Sequence, residues 1–387
     1  MTNDDRVDPV VFAERTLALL DTGSFTMSYK YAVLLGLVDC CLEQLSETGQ
    51  PPATVRASAV ADKVLELYWR QATPFPRGNV PRVLSQRPER RKLDLVARIA
   101  EFRQHVRFEL PLHRARHADP RAFDALRDRV YVTVVRMPLP KLQRMNADDP
   151  FGDGFMYRIG WPDQVSAARV RRPDFDDRIH FKPGVAEALL RVSGIIRPIV
   201  QRQWAAFVAR RNADVLDDLM LDEFLFDAER VSLGRVRAPL VELQHGGCFY
   251  CQQPLRGRTD VDHFLPWSRS TDDGLDNLVA AHAGCNNAKR ASLAAGVHLQ
   301  RWLERGEHHA ASLASIADAT PWPRDARRTH AVARALYLYQ APGTSLWLAP
   351  DAYDRADAGE LQRLLLPSGA HALAADEPPD YVVTREP

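Results

Sequence analysis

Apolar residues recur at steps of three and four through most of the chain, a spacing that predicts a mainly α protein with a small α+β part. Residues 9–21 read as a short amphipathic helix. Residues 24–47 place Tyr31, Leu34, Leu35, Val38, Leu42 and Leu45 on one stripe, which marks a core helix. At that spacing Tyr31 and Cys41 are packing residues. After the break at TGQPP, residues 55–70 supply another helix, with Ser58 as a candidate cap and Leu65, Tyr68 and Trp69 as its packing face. The N-terminal helices fit either a winged-helix-like recognition unit or plain scaffold.

Residues 74–81, rich in Pro, form a loop, and 82–108 continue helically. The β-branched run at 131–137 (YVTVVRM) and the stretch 157–161 (YRIGW) predict two short strands. Helix resumes over 179–212, where Pro198 should kink or divide it. Residues 219–237 mix acidic and apolar positions. Further helices are expected at 297–306, 308–317 and 323–339, anchored by Trp302, Trp322, Tyr337 and Tyr339. From Pro367 onward periodicity is lost, and a loosely packed tail is expected.

Composition changes this picture little. With 387 residues there is material for two or three cores, and hydrophobic and charged fractions of 45% and 26% are those of a soluble globular protein. No apolar run is long enough to span a bilayer, and the N-terminus MTNDDRVDP does not read as a leader, so a cytoplasmic protein without membrane partners is expected. Cys40 and Cys41 are adjacent in a helical pattern and poorly placed to bond each other, so no disulfides are expected. The net charge of +1 says nothing about nucleic acid, but between Phe75 and Met145 there are 17 Lys or Arg against 7 Asp or Glu. That stretch includes Arg87, Arg90, Arg91, Lys92, Arg98, Arg103, Arg107, Arg114 and Arg116. It fits a solvated, salt-bridged helix face and a phosphate-tracking surface equally well.

One stretch, 248–290, carries chemistry. Three of the five cysteines lie in it: Cys248-x2-Cys251 is answered by His282-x2-Cys285, and a closed Cys3His set suits structural zinc. An isolated CxxC is often a redox or chance pair; the matching downstream pair argues for a metal. Between the pairs lie Asp262-His263, Pro266 and Asn277, and Asn286 follows the last ligand. An Asp-His dipeptide alone is nearly uninformative, and its weight comes from standing between the ligand pairs.

This stretch resembles the HNH endonuclease family, whose pattern is a CxxC pair, a DH dipeptide followed by Pro, an NL step and a closing C-N-x-x-K. Here these are Cys248/Cys251, Asp262-His263 with Pro266, Asn277-Leu278, and Cys285-Asn286-Asn287-Ala288-Lys289. His282 stands where many members have Cys, which changes a structural ligand and not the chemistry. The resemblance covers about a ninth of the chain. It implies a ββα-metal nuclease module at 231–295, flanked by an N-terminal helical region at 1–73, a basic mixed helical and strand region at 74–230, and a C-terminal helical region and tail at 296–387.

The resemblance further implies a metal-dependent endonuclease with His263 as general base. Asp262 and Asn286 would hold a catalytic Mg²⁺ (or Mn²⁺), and Asn277 would brace the loop that orients the His. A neutral imidazole suits base catalysis near pH 7, and two oxygen ligands plus waters and phosphate oxygens suit Mg²⁺. Asp262 and His263 would project to opposite sides of a strand, so a bend is expected to bring both to the metal. Lys289, Arg290 and Arg269 are candidate phosphate contacts, and Asp260 is a spare carboxylate near the metal. DNA is expected as substrate before RNA, with a role in restriction or phage defence, because the family is mainly of that kind; a homodimer or a defence-system partner protein is left open. The competing reading is a zinc-stabilised nucleic-acid-binding or assembly protein in which cleavage plays no part.

Overall fold

The computed structural model describes residues 7–22, 27–75, 82–86, 95–143, 154–212, 221–226 and 233–367. From the N-terminus run α1 (Pro9–Thr22), α2 (Tyr29–Glu43), β1 (Thr54–Arg56), α3 (Ala57–Gln71), β2 (Pro74–Phe75), β3 (Arg82–Val83), α4 (Leu95–Val106), α5 (Leu112–Ala118), α6 (Pro120–Arg136) and α7 (Pro138–Lys141). The middle holds β4 (Tyr157–Ile159), α8 (Ala167–Val170), β5 (Arg178–Phe181), α9 (Val185–Arg211), α10 (Leu221–Phe226) and α11 (Gly234–Leu243). Then come the hairpin β6 (Thr259–His263) and β7 (Leu278–His282), α12 (Ala283–Lys289), α13 (Gly296–His308), α14 (Ala310–Ala319), α15 (Ala326–Leu338), β8 (Ser345–Ala349), β9 (Ala352–Arg355) and α16 (Ala358–Leu365).

The core is built around α2, buried from Tyr31 through Leu42 between α3, α9 and α15. Trp204 of α9 meets Tyr31 with ring centroids 6.3 Å apart and Tyr68 of α3 at 5.1 Å. Buried charge ties the same helices together: Lys63 Nζ lies 2.8 Å from Glu43 and 2.7 Å from Glu66, and Arg328 of α15 reaches Glu43 at 2.8 Å. An antiparallel sheet, β1-β5-β4, closes one side, with Val55 opposite Ile179 and Ile179 opposite Ile159.

Several expectations are corrected. Residues 131–137 are not a strand: they finish α6, because Phe123, Leu126, Val130 and Val134 bury one helical stripe, and that burial overrides β propensity. Ser58 is not a helix cap. Its backbone N–H donates to Asp177 Oδ2 at 3.0 Å, so a carboxylate from a distant segment serves the first turn of α3. Residues 178–181 are strand, Gly184 turns the chain at φ 76°, and α9 then runs on as one helix through Pro198. Of the basic stretch, Arg87, Arg90, Arg91 and Lys92 lie outside the described residues, as do the tail beyond Leu366-Pro367 and the boundary near 230. Arg103 is a core residue: its guanidinium sits 4.6 Å from the Trp69 ring and donates to Trp69 O (2.5 Å) and to Phe108 O. No helix among the described residues is long and apolar enough to cross a membrane.

Candidate active site

Both faces of the β6–β7 hairpin carry buried residues. Register pairs Val261 with Ala280 and His263 with Leu278 on one face, and Asp260 with Ala281 and Asp262 with Val279 on the other. The first face packs into a small core with Val236 and Leu240 of α11 and Leu313 of α14, whereas Val279 and Ala281 join the main core. α13 clamps the hairpin from outside: Trp302 Nε1 donates to Asp276 O at 2.9 Å, Arg305 donates to Leu278 O at 2.6 Å, and Phe264 stacks on Trp302 at 5.0 Å.

At the far end of the hairpin the donor atoms of Cys248, Cys251, His282 and Cys285 all lie within 4.8 Å of one another. A zinc tetrahedron with arms of about 2.0–2.3 Å has edges of roughly 3.3–3.8 Å, so the four atoms need to draw in by no more than about 1.5 Å to hold one ion. His282 turns Nδ1 to Cys251 Sγ at 3.3 Å and Nε2 to Pro254 O at 3.1 Å, the division in which one ring nitrogen binds metal and the other is held by a carbonyl. Burial, with the neighbouring Cys248 and Cys251 charges, pushes the Cys285 thiol up to about 12. Burial raises Cys248 too, but backbone N–H groups of Cys251, His282 and Tyr250 outweigh it and hold that thiol below its usual value. Crowded sulfurs of this kind are relieved by a bound cation, and the set is compatible with structural zinc.

Asp262 and His263 stand side by side at the end of β6, and the pleat sends them to different neighbourhoods. Asp262 faces α12. Its Oδ2 accepts from the Tyr250 hydroxyl at 2.5 Å and lies 3.0 Å from Lys289 Nζ, while no hydrogen bond among the described residues engages Oδ1. Burial and the Asp262 carboxylate together push the Tyr250 phenol well above its usual pKa, which keeps it a donor. Asn286, three residues before Lys289 on α12, donates from Nδ2 to Asp260 Oδ2 at 3.3 Å and leaves its own Oδ1 uncommitted. Asp262 Oδ1 and Asn286 Oδ1, both without a hydrogen-bond partner among the described residues, are oxygen donors of the kind a hard divalent cation takes.

His263 faces the loop after the strand. Its Nε2 lies 2.7 Å from Asp273 Oδ1, and its ring centroid is 5.5 Å from that of Trp267. A carboxylate only accepts, so Nε2 carries a proton, and whenever the ring is neutral the lone pair is on Nδ1. Asn277 holds this loop: Oδ1 accepts from Leu265 N at 2.7 Å, and Nδ2 donates to Leu265 O at 3.1 Å and Asp272 O at 2.9 Å. Fully buried and spent on backbone, Asn277 positions the segment that follows His263.

Lys289 is not where a phosphate contact would be. It is 0% exposed, pairs with Asp262 and donates to His263 O at 2.9 Å, so it neutralises the carboxylate and ties α12 to the end of β6. Arg269 is half-buried and bonds Ala291 O at 3.2 Å. Arg290 is exposed just past α12, with φ 50° and Nε 3.3 Å from Asn287 O. Asp273 carries no motif in the sequence; Asp-Asp-Gly at 272–274 signals only a turn.

A two-stranded hairpin and a short helix joined by a Cys3His knot, with Asp-His closing the first strand, make up a ββα-metal nuclease module. Residues 248–295 match the family model described as HNH endonuclease. No curated protein and no solved structure matches the chain.

Proposed function

We propose that this protein is a metal-dependent endonuclease that hydrolyses phosphodiester bonds, with DNA as its substrate and a role in restriction or phage defence. What carries the reading is the pair Asp262-His263: one carboxylate oxygen without a hydrogen-bond partner among the described residues, and an imidazole whose Nε2 donates to Asp273, which in the neutral ring leaves Nδ1 as the base. His263 takes the proton of the attacking water at Nδ1, and Asp273 steadies the imidazolium that results. Asp262 and Asn286 would hold Mg²⁺ or Mn²⁺, and the ion when bound would supply charge stabilisation for the phosphoryl and leaving oxygens. Lys289 and Tyr250 keep the other Asp262 oxygen in place, and Asn277 keeps the His263 loop in register. Zinc held by Cys248, Cys251, His282 and Cys285 would fix the start of α12, on which Asn286 rides. Arg290, exposed at the end of α12, remains a candidate phosphate contact. One such site cuts one strand at a time, so a double-strand break requires a second copy or a second turnover. The choice of DNA and the defence role rest on the family resemblance alone.

The test is incubation of the zinc-loaded protein with supercoiled plasmid and with single-stranded DNA and RNA, with Mg²⁺ or Mn²⁺, beside His263→Ala. Metal-dependent cutting that disappears in the variant, zinc content unchanged, is expected. Absence of cutting on every substrate by folded, zinc-loaded protein would favour a binding or assembly role.

A further inference from the structure

A cavity of about 250 Å³ lies behind the catalytic loop, where α3, α5, α9 and α10 meet residues 267–274 and 323–328. Two of its walls, Trp267 and Asp273, are the groups that touch His263. Phe226 adds a second aromatic wall and is tied to the first, since Trp267 Nε1 donates to Phe226 O at 2.9 Å. The polar groups fall into two sorts. The ions are largely engaged: Arg324 on Asp276 at 3.0 Å, Arg328 on Glu43 at 2.8 Å, Glu66 on Lys63 at 2.7 Å, Arg70 on Phe224 O at 2.6 Å, Asp272 on Thr329 at 2.6 Å and Asp273 on His263 at 2.7 Å, although Arg328 Nε is buried without a hydrogen-bond partner among the described residues. Uncharged groups are left over: the Gln201 amide and the Thr271 hydroxyl have no hydrogen-bond partner among the described residues, and His113 Nε2 is buried and unpartnered.

That division says what fits. Arginines already engaged by carboxylates or, for Arg70, by a backbone carbonyl offer less to a phosphate than uncommitted cations would. Aromatic walls with an unspent amide, hydroxyl and ring nitrogen suit a flat heterocycle with its own donors and acceptors. The volume is below the roughly 300–1,000 Å³ of drug-sized sites and suits one ring system. Proteins that read an extruded base combine aromatic stacking with hydrogen bonds to its edge in this way. The cavity shares Trp267 and Asp273 with the general base, which puts any base it holds within one residue's reach of the cutting site.

We propose that this cavity receives a single nucleobase, turned out of the bound strand beside the scissile phosphate. The inference rests on the nuclease reading of the neighbouring site. An occupied cavity packs against Trp267 and Asp273, so base capture and the setting of His263 are one event, and cleavage acquires a base preference next to the cut.

The experiment measures binding without added divalent cation, by fluorescence anisotropy, of two single-stranded oligonucleotides of equal length: one wholly abasic, the other carrying one 2-aminopurine in the same abasic backbone. The one-base strand should bind about tenfold tighter, with 2-aminopurine emission quenched by stacking. Gln201→Leu and Thr271→Val together should abolish that gain while leaving the abasic strand's affinity and the melting temperature unchanged. Equal affinity for the two strands, an undiminished gain in the double variant, or tight binding of free 2-aminopurine riboside with no help from a strand would overturn the proposal. Plasmid cutting by the same wild-type preparation separates the two claims. Cutting without a base effect rejects only the cavity assignment, and a base effect without cutting rejects only the nuclease.

Discussion

Two regions of this molecule bury ionic groups, and they do so differently. In the helical body, Lys63 is shared between Glu43 and Glu66, and Arg328 reaches Glu43 from α15, so carboxylates and cations answer one another. At the hairpin, Lys289 and Tyr250 both serve one oxygen of Asp262, Asp273 holds one nitrogen of His263, and the other oxygen and nitrogen have no partner among the described residues. A closed set of charges fastens helices. An open set keeps reactive atoms oriented and uncommitted, which is what a metal ligand and a general base need.

The comparison breaks most completely if zinc proves dispensable. Chelation, or Cys285→Ser, is expected to melt the hairpin and α12 while α2, α3 and α9 keep their structure, since a structural zinc supplies on the order of 10–16 kcal/mol of folding free energy in small modules. Hydrogen exchange resolved by segment checks this. Next come the two buried lysines. Lys289→Met should cost about 3–5 kcal/mol in denaturant unfolding, because it leaves the buried Asp262 without its cation, and Lys63→Met should cost less, because Arg328 still reaches Glu43 at 2.8 Å and Glu66 at 3.7 Å. Only Lys289→Met should also shift the Mg²⁺ concentration needed for cutting; equal metal dependence in the two variants would erase the distinction between the sets. Asp273→Asn should lower cleavage about 10–100-fold with the Mg²⁺ requirement unchanged. Its pH–rate profile should move as well, since the group that fixes the His263 tautomer has changed.

The smallest expected effect is one of pH. Burial holds the pKa values of His298, packed between Tyr250 and Trp347, and of His330, packed on Trp302, below the ordinary histidine value. A base with a depressed folded pKa contributes stability that is present above its unfolded pKa and is lost as pH falls through the folded one. Glu43 runs the other way. Burial, opposed by Lys63 and Arg328, pushes it up to about 7, and its contribution is present below the unfolded carboxylate value and lost as pH rises through about 7. Between pH 7 and pH 5, amide protection should therefore fall around α13 and α15 where they grip the hairpin, and rise in α2.

What was legible in the sequence follows the range of each interaction. The Cys3His spacing, the Asp262-His263 step and the order of hairpin and helix are local, and the structure brings the four zinc-type ligands together as read. The roles of Lys289 and Asp273 were not legible. Lys289 meets Asp262 only because α12 folds back across β6, 27 positions along the chain, and a lysine near a helix end gives no sign of burial. Asp273 meets His263 through a loop whose course depends on Asn277 bonding Leu265 and Asp272. The same holds for 131–137, where β-branched residues became helix because their stripe found a core, and for β8, β9 and α16, which no periodic signal announced.

The central claim is that Asp262-His263 is a working metal-and-base pair. The most direct measurement is the single-turnover rate of plasmid nicking against Mg²⁺ for wild type, Asp262→Asn and His263→Ala, each verified as folded and zinc-loaded. A loss of about 10²–10⁴-fold in His263→Ala at every Mg²⁺ concentration, and a raised Mg²⁺ requirement in Asp262→Asn, are predicted. Nicking that survives both substitutions undiminished would contradict the account.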